Sequence, residues 1–370
     1  MRTQFVALGD TGTADPAQLR VAAGLSAFCK TGACDFALHL GDIIYPKGIQ
    51  KAEDPELLRK FERPYAKLGV PFYLSLGNHD WYGNPFAMVS AWADDSPARK
   101  RALVDARLPD RYYTFLHRGT RFIAIDSNRP DDEQGRWLDR VLSESRRAGD
   151  RWVFAFGHHP RHSHGAHGEA HEPLRGWFDR LLCHRVDVYL AGHDHDKQLF
   201  SPRCGIHQVV SGAGASLRPT QRGEGSKWAA STLGWVHFAV SEHRLSLTFH
   251  DDQGRAEHRD TIAAGPDVDR CAADSMCESS CSEDPDCKGQ SCVGDNRCNV
   301  ACVDDPDCRF VTTQKLACPC DLDLERCNAR GPGETAPCAC DAACQAGLGA
   351  CVDDSWCDAR CPTGRDPNCG

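Results

Sequence analysis

Short apolar runs and longer amphipathic stretches take turns through the first 265 residues. Residues 4–8, 36–40, 71–76, 121–125, 152–156, 186–191 and 207–210 have the length and composition of buried strands. Between them, residues 16–29, 55–68, 132–145 and 172–182 repeat apolar side chains every three or four positions, the stripe of an amphipathic helix. Such alternation predicts an α/β architecture with largely parallel connections. Residues 235–240 and 245–250 read as a closing hairpin.

Where these runs end, the polar pattern repeats a device. The first runs into Gly9-Asp10, the second into Gly41-Asp42-Ile43-Ile44-Tyr45, the third into Gly77-Asn78-His79-Asp80. Two later ones run into Gly157-His158-His159 and Gly192-His193-Asp194-His195. Open α/β sheets place ligands at the carboxyl ends of their strands. A glycine there lets the chain turn sharply and aim the next side chain at the site. Asp10, Asp42, Tyr45, Asn78, His158, His193 and His195 make a mixed oxygen and nitrogen donor set. That set is too large for one tetrahedral zinc and suits two ions of higher coordination sharing a carboxylate.

Composition divides the chain. All 17 histidines precede residue 260, while 18 of the 22 cysteines lie between Cys271 and Cys369. Residues 266–370 hold 20 acidic and 9 basic side chains; the remainder is near neutral, within a total of −9. The boundary therefore falls near residue 265. An acidic total argues against general nucleic-acid binding, and no apolar run is long enough for a membrane span. Dense cysteine indicates an oxidising compartment: secreted, periplasmic or at the cell surface. Residues 1–8 are too short an apolar stretch for a signal peptide, so a leader is expected to be missing ahead of Met1.

The ordered motifs resemble the calcineurin-like metallophosphoesterase superfamily. Its usual first motif is Asp-x-His; here Gly12 stands in the histidine's place and Tyr45 follows Gly41-Asp42. That exchange resembles the purple acid phosphatases. Ser211-Gly212-Ala213-Gly214, Gly192 to Asp196, His167-Gly168 and Gln134-x-x-Trp137-Leu138 are similar to the small, tartrate-resistant type. The resemblance covers roughly residues 3–250. It implies a sandwich of two mixed sheets flanked by helices. It implies Asp10, Tyr45 and His195 around Fe(III), and Asn78, His158 and His193 around Fe(II), Zn or Mn, with Asp42 bridging. A phenolate and carboxylates suit a hard trivalent ion, and imidazoles with an amide a divalent one.

The expected chemistry is hydrolysis of phosphate monoesters, on small molecules or phosphoproteins, by a metal-bound hydroxide. His79, next to a ligand, is expected to stabilise the transition state and protonate the leaving group. Asp80 is expected to hydrogen-bond its ring. His167 fits the family's substrate-contacting histidine, and His159 replaces a residue commonly aromatic in relatives. Arg161 reads as a surface arginine. A phosphodiesterase or nucleotide hydrolase is the nearest rival activity. An inactive binding protein working through its cysteine-rich end is the rival of another class, against which the full donor set argues. Cys29 with Cys34, and Cys183 with Cys204, are spaced to bridge.

Beyond residue 265, a module Cys-x2-Asp-x2-Cys-x3-Cys ending in Asp-Pro-Asp-Cys spans 271–287 and 292–308, and a variant spans 351–369. An irregular module with Cys318, Cys320, Cys327, Cys338, Cys340 and Cys344 lies between. Each holds an even number of cysteines, so each can close internally by disulfides, which compensate for the missing apolar core. The recurring aspartates make Ca²⁺ a lesser candidate beside ordinary turn chemistry. Attachment to a surface or a partner is the role this architecture suggests.

Overall fold

The computed structural model describes residues 2–263. The cysteine modules and their Ca²⁺ candidate lie outside the described residues. Fourteen strands form two seven-stranded sheets. They are β1 (Thr3–Leu8), β2 (Phe36–Leu40), β3 (Phe72–Ser75), β4 (Ala106–Arg107), β5 (Tyr113–His117), β6 (Thr120–Ala124) and β7 (Trp152–Phe156). Then come β8 (Val188–Ala191), β9 (Lys197–Phe200), β10 (His207–Ser211), β11 (Ser226–Ala230), β12 (Gly234–Val240), β13 (Arg244–Asp251) and β14 (Ala256–Ala263).

One sheet runs β14-β13-β12-β1-β2-β3-β4, the other β11-β9-β10-β8-β7-β6-β5. Each is mixed. β1 to β4 are parallel, and so are β6, β7, β8 and β10. The pairs outside these cores are antiparallel. The largely parallel expectation thus holds for the centre of each sheet and fails at its flanks. Flanking strands such as β5, β9, β11 and β14 alternate weakly or are short, which hides them from a periodicity argument. The expected hairpin is β12–β13, and β14 extends it.

The sheets pack through aromatic rings. Phe5 of β1 stacks on Phe36 at 5.3 Å and Phe238 at 4.8 Å, and meets Phe122 and Phe154 of the other sheet edge-on at 5.1 and 5.3 Å. Such pairs contribute about 0.5–1.5 kcal/mol each beyond area burial. The helices Asp132–Ala148 and Leu174–Leu182 cover the outer face of the second sheet, placing Leu138, Trp177, Phe178 and Leu181 over Ile123, Val153 and Tyr189. With both faces covered, the central strands read as continuous apolar runs. Asp15 caps the helix Pro16–Phe28 by accepting from the Gln18 amide at 2.8 Å, ahead of a proline in its first turn. The stretch 55–68, read as one helix, is three short segments with a π-helical turn at Leu58–Glu62. Disulfides join Cys29 to Cys34 and Cys183 to Cys204. Among the described residues, no helix is long and apolar enough to cross a membrane.

Candidate metal centre

The loops after β1, β2 and β3 in one sheet and after β7 and β8 in the other converge at the carboxyl ends of the parallel strands. Asp10, Asp42 and His193 adopt left-handed backbone, with φ of 58°, 55° and 68°. Each such residue costs about 1–3 kcal/mol unless its surroundings hold it. They do: the His193 amide donates to Asp10 Oδ2 at 2.9 Å, and the His79 amide to Asp42 Oδ1 at 2.8 Å. Gly77 is obligatory here, since a Cβ would lie 2.1 Å from Asp42 Oδ1.

The seven expected donors come together in two groups. Tyr45 Oη lies 3.0 Å from Asp10 Oδ1 and 3.1 Å from His195 Nε2, while His195 Nε2 lies 3.5 Å from Asp10 Oδ1. In the other group His158 Nε2 is 2.9 Å from Asn78 Oδ1 and 3.1 Å from His193 Nδ1. Asp42 Oδ2 stands between them, 2.7 Å from Tyr45 Oη and 3.5 Å from His158 Nε2. Ligands on neighbouring positions of an ion with bonds near 2.1 Å lie about 3 Å apart. The observed spacing matches that requirement.

The neighbours select the tautomers. His158 Nδ1 donates to the Leu40 carbonyl at 2.9 Å, so its lone pair is on Nε2, facing the centre. Ser216 Oγ engages His195 Nδ1 at 2.5 Å and leaves Nε2 for Tyr45 and Asp10. The electrostatics ask for a cation. Burial, and next the Asp42 charge, hold the Asp10 carboxyl well above the usual range; burial raises Asp42 also. Burial and the two carboxylates push the Tyr45 phenol up. Burial lowers His158 to about 3 and lowers His193 and His195. Buried acids that resist charge beside neutral imidazoles form a donor set that a multivalent ion converts to its anionic form. The residues therefore fit a dinuclear centre.

The remaining expected residues differ. His79 Nδ1 donates to the Pro46 carbonyl at 2.6 Å, and Nε2 lies 4.0 Å from Asp42 Oδ2. Its ring packs against Tyr45 and Tyr82, centroids 4.3 and 5.1 Å away. Asp80 does not engage that ring. Its carboxylate accepts from the Gly77, Ile43 and Ile44 amides at 2.9, 3.1 and 3.2 Å, tying two ligand loops together. Burial, then Asp42, raises it to about 8. The departure has a simple cause: the short helical turn Asn78–Trp81 brings a carboxylate three residues after Gly77 back onto the Gly77 amide, where it also meets the Ile43 and Ile44 amides. The His167 ring stacks on His193 at 4.2 Å, and its amide donates to Asp194 Oδ1 at 2.8 Å. Arg161 is spent on a bidentate pair with Asp179 at 2.8 Å. Asp194, Ser127 and Ser216 orient the site and were not singled out from sequence. Asp194 carried a signal, lying between two ligands.

Residues 3–197 match the family model described as calcineurin-like phosphoesterase. The chain belongs to that family. The phosphoesterase is 29% identical to human tartrate-resistant acid phosphatase type 5 over 296 residues, 68% of this chain and 88% of the relative. It is 27% identical to Arabidopsis thaliana purple acid phosphatase 4 over 251 residues, 61% and 73% of the two chains. Among solved structures, it is similar to GAP50, the anchor in the inner membrane complex of Plasmodium. The TM-score is 0.62 at 20% identity, covering 72% of this chain and 90% of that one. That likeness concerns the fold. The chain is a metal-dependent phosphate hydrolase with acid phosphatase homologues.

Proposed function

We propose that this phosphoesterase is a secreted acid phosphatase that hydrolyses phosphate monoesters at a mixed-valence or mixed-metal centre. One observation carries the reading: Asp42 Oδ2 stands between a phenol–carboxylate group and an imidazole–amide group. Asp10, Tyr45 and His195 would hold Fe(III), and Asn78, His158 and His193 would hold Fe(II), Zn or Mn. When bound, such a pair supplies an acidified water and polarises phosphoryl oxygens. The rest falls to the chain. His79, fixed by the Pro46 carbonyl, presents Nε2 beside Asp42 and donates a proton to the leaving oxygen. His167, stacked on His193, contacts the substrate. Asp80 holds the loops that carry Asp42 and Asn78 in register.

The relatives named as acid phosphatases support acidic working conditions, and the disulfides support an oxidising compartment. Phosphorylated small molecules or phosphoproteins are the proposed substrates, and the cysteine-rich segment is the proposed contact with a surface or partner. The test is a visible spectrum with metal analysis, beside rates on an aryl phosphate, a nucleotide and a phosphodiester. A tyrosinate-to-Fe(III) band and preference for the monoester are expected. A colourless, fully active two-zinc protein overturns the iron assignment, and preference for the diester overturns the monoester one.

A further inference from the structure

His159 sits beside the imidazole half of the centre, in a position that the metal assignment leaves without a role. Its ring lies 4.5 Å from the His193 ring and 5.0 Å from that of His158. A ring nitrogen from each of the three residues falls within 4.8 Å of the other two. Taken by distance alone, the cluster reads as a three-imidazole metal site. Proton accounting reads it otherwise.

Ser127 Oγ has one proton to give and two lone pairs. It accepts from the His158 amide at 3.2 Å and from the His159 amide at 3.0 Å, which uses both lone pairs. Its remaining contact is His159 Nδ1 at 2.9 Å. The only role left for the hydroxyl there is donor, so Nδ1 accepts and the ring proton is on Nε2. In the opposite tautomer Ser127 Oγ would accept three N–H groups and donate none. With Nδ1 engaged and Nε2 protonated, His159 has no lone pair for an ion. The Tyr189 hydroxyl, donating to the His159 carbonyl at 2.8 Å, fixes the backbone beneath it. His159 is only half-buried, and among the described residues Nε2 has no hydrogen-bonding partner.

We infer that His159 is a fixed N–H donor whose Nε2 hydrogen-bonds an oxygen of the bound phosphoryl group from the side of His193. Its class of ligand is a tetrahedral oxyanion. The inference rests on the phosphoesterase reading of the centre and is independent of the preference for monoesters. A phenylalanine at this place could pack but not donate, so the imidazole adds a contact rather than only forming a wall.

The experiment measures inorganic phosphate binding by calorimetry on the full chain as purified, with metal content determined on the same samples. His159→Phe is expected to weaken phosphate binding about tenfold, the scale of one hydrogen bond to a charged group, with metal content unchanged. His159→Gln, which retains a donor, is expected to stay within about threefold of the original. Phosphate affinity within twofold in His159→Phe overturns the inference, as does loss of a metal equivalent, which would make His159 a ligand. A readout without substitution is the ¹⁵N spectrum of the histidine-labelled, zinc-loaded protein. A protonated Nε2 with a bare Nδ1 supports the inference, and the reverse tautomer overturns it. A failure of monoester preference would appear in the substrate panel and leave phosphate binding untouched.

Discussion

The two halves of the centre are built from opposite chemistry and draw unequally on the two sheets. The tyrosine half takes Asp10 and Tyr45 from the first sheet's loops and only His195 from the second. The histidine half takes Asn78 from the first and both His158 and His193 from the second. One half becomes strongly anionic on losing its protons and the other stays neutral. The difference teaches how one fold could discriminate two ions within a single pocket: charge is concentrated on one side of Asp42, and polarisable nitrogen on the other.

Removing Asp42, the proposed shared ligand, erases the comparison altogether. Asp42→Asn should lower activity by about a thousandfold or more and reduce bound metal below two per chain, as metal analysis beside rates will show. Single-half variants sharpen it. Tyr45→Phe should abolish the visible band, whereas His193→Ala should keep the band and lose one divalent equivalent. Depletion of the same ion by both variants would mean the halves are not distinct. His79→Ala should slow aryl phosphate hydrolysis about a hundredfold, and alkyl phosphates more, because their leaving oxygen needs the proton. Rates within a few-fold of the original would remove His79 from the reaction.

The smallest effect concerns a prop under the tyrosine half. His39 is fully buried, bonds Thr11 Oγ1 through Nε2 at 2.8 Å, and is held down to about 3 by burial. Its folded value lies below the ordinary one of 6.5, so the unfolded chain takes up the proton first as pH falls. Stability from this group is complete above 6.5 and is lost as pH drops from there toward 3. At pH 5 the loss is about 2 kcal/mol. Denaturant midpoints at pH 8 and 5 should show it, and His39→Gln should flatten the slope.

Much of this was legible in the residues. The ligand loops were readable because each follows a mostly apolar run, and Gly-Asp, Gly-Asn or Gly-His at five strand ends is a pattern that local turns do not produce in order. The fold class followed from the same runs. Mixed sheet edges were less readable. β14, for instance, is half-exposed and polar at Glu257 and Asp260, so its sequence carries little periodicity. The role of Asp80 was hidden for another reason. A carboxylate beside a histidine in sequence suggests a pair, but the helical turn points it back to the amides it caps. Ser216 acts through one hydrogen bond to a ring nitrogen, and Ser127 through one to a ring nitrogen and two from backbone amides, which no spacing rule encodes.

The division of ligands between two sheets has a mechanical consequence. The phenylalanine interlock at the middle of the sandwich grips the sheets while the chain is metal-free, and a loaded centre would fasten their ends as a rivet does. Separating the layers would then require breaking coordination on both sides of Asp42 before the rings at Phe5 part. Occupied protein should therefore unfold slowly and late, and chelation should act on lifetime as much as on turnover. For a metal-dependent hydrolase, the same pair of ions would serve as reagent and as fastener.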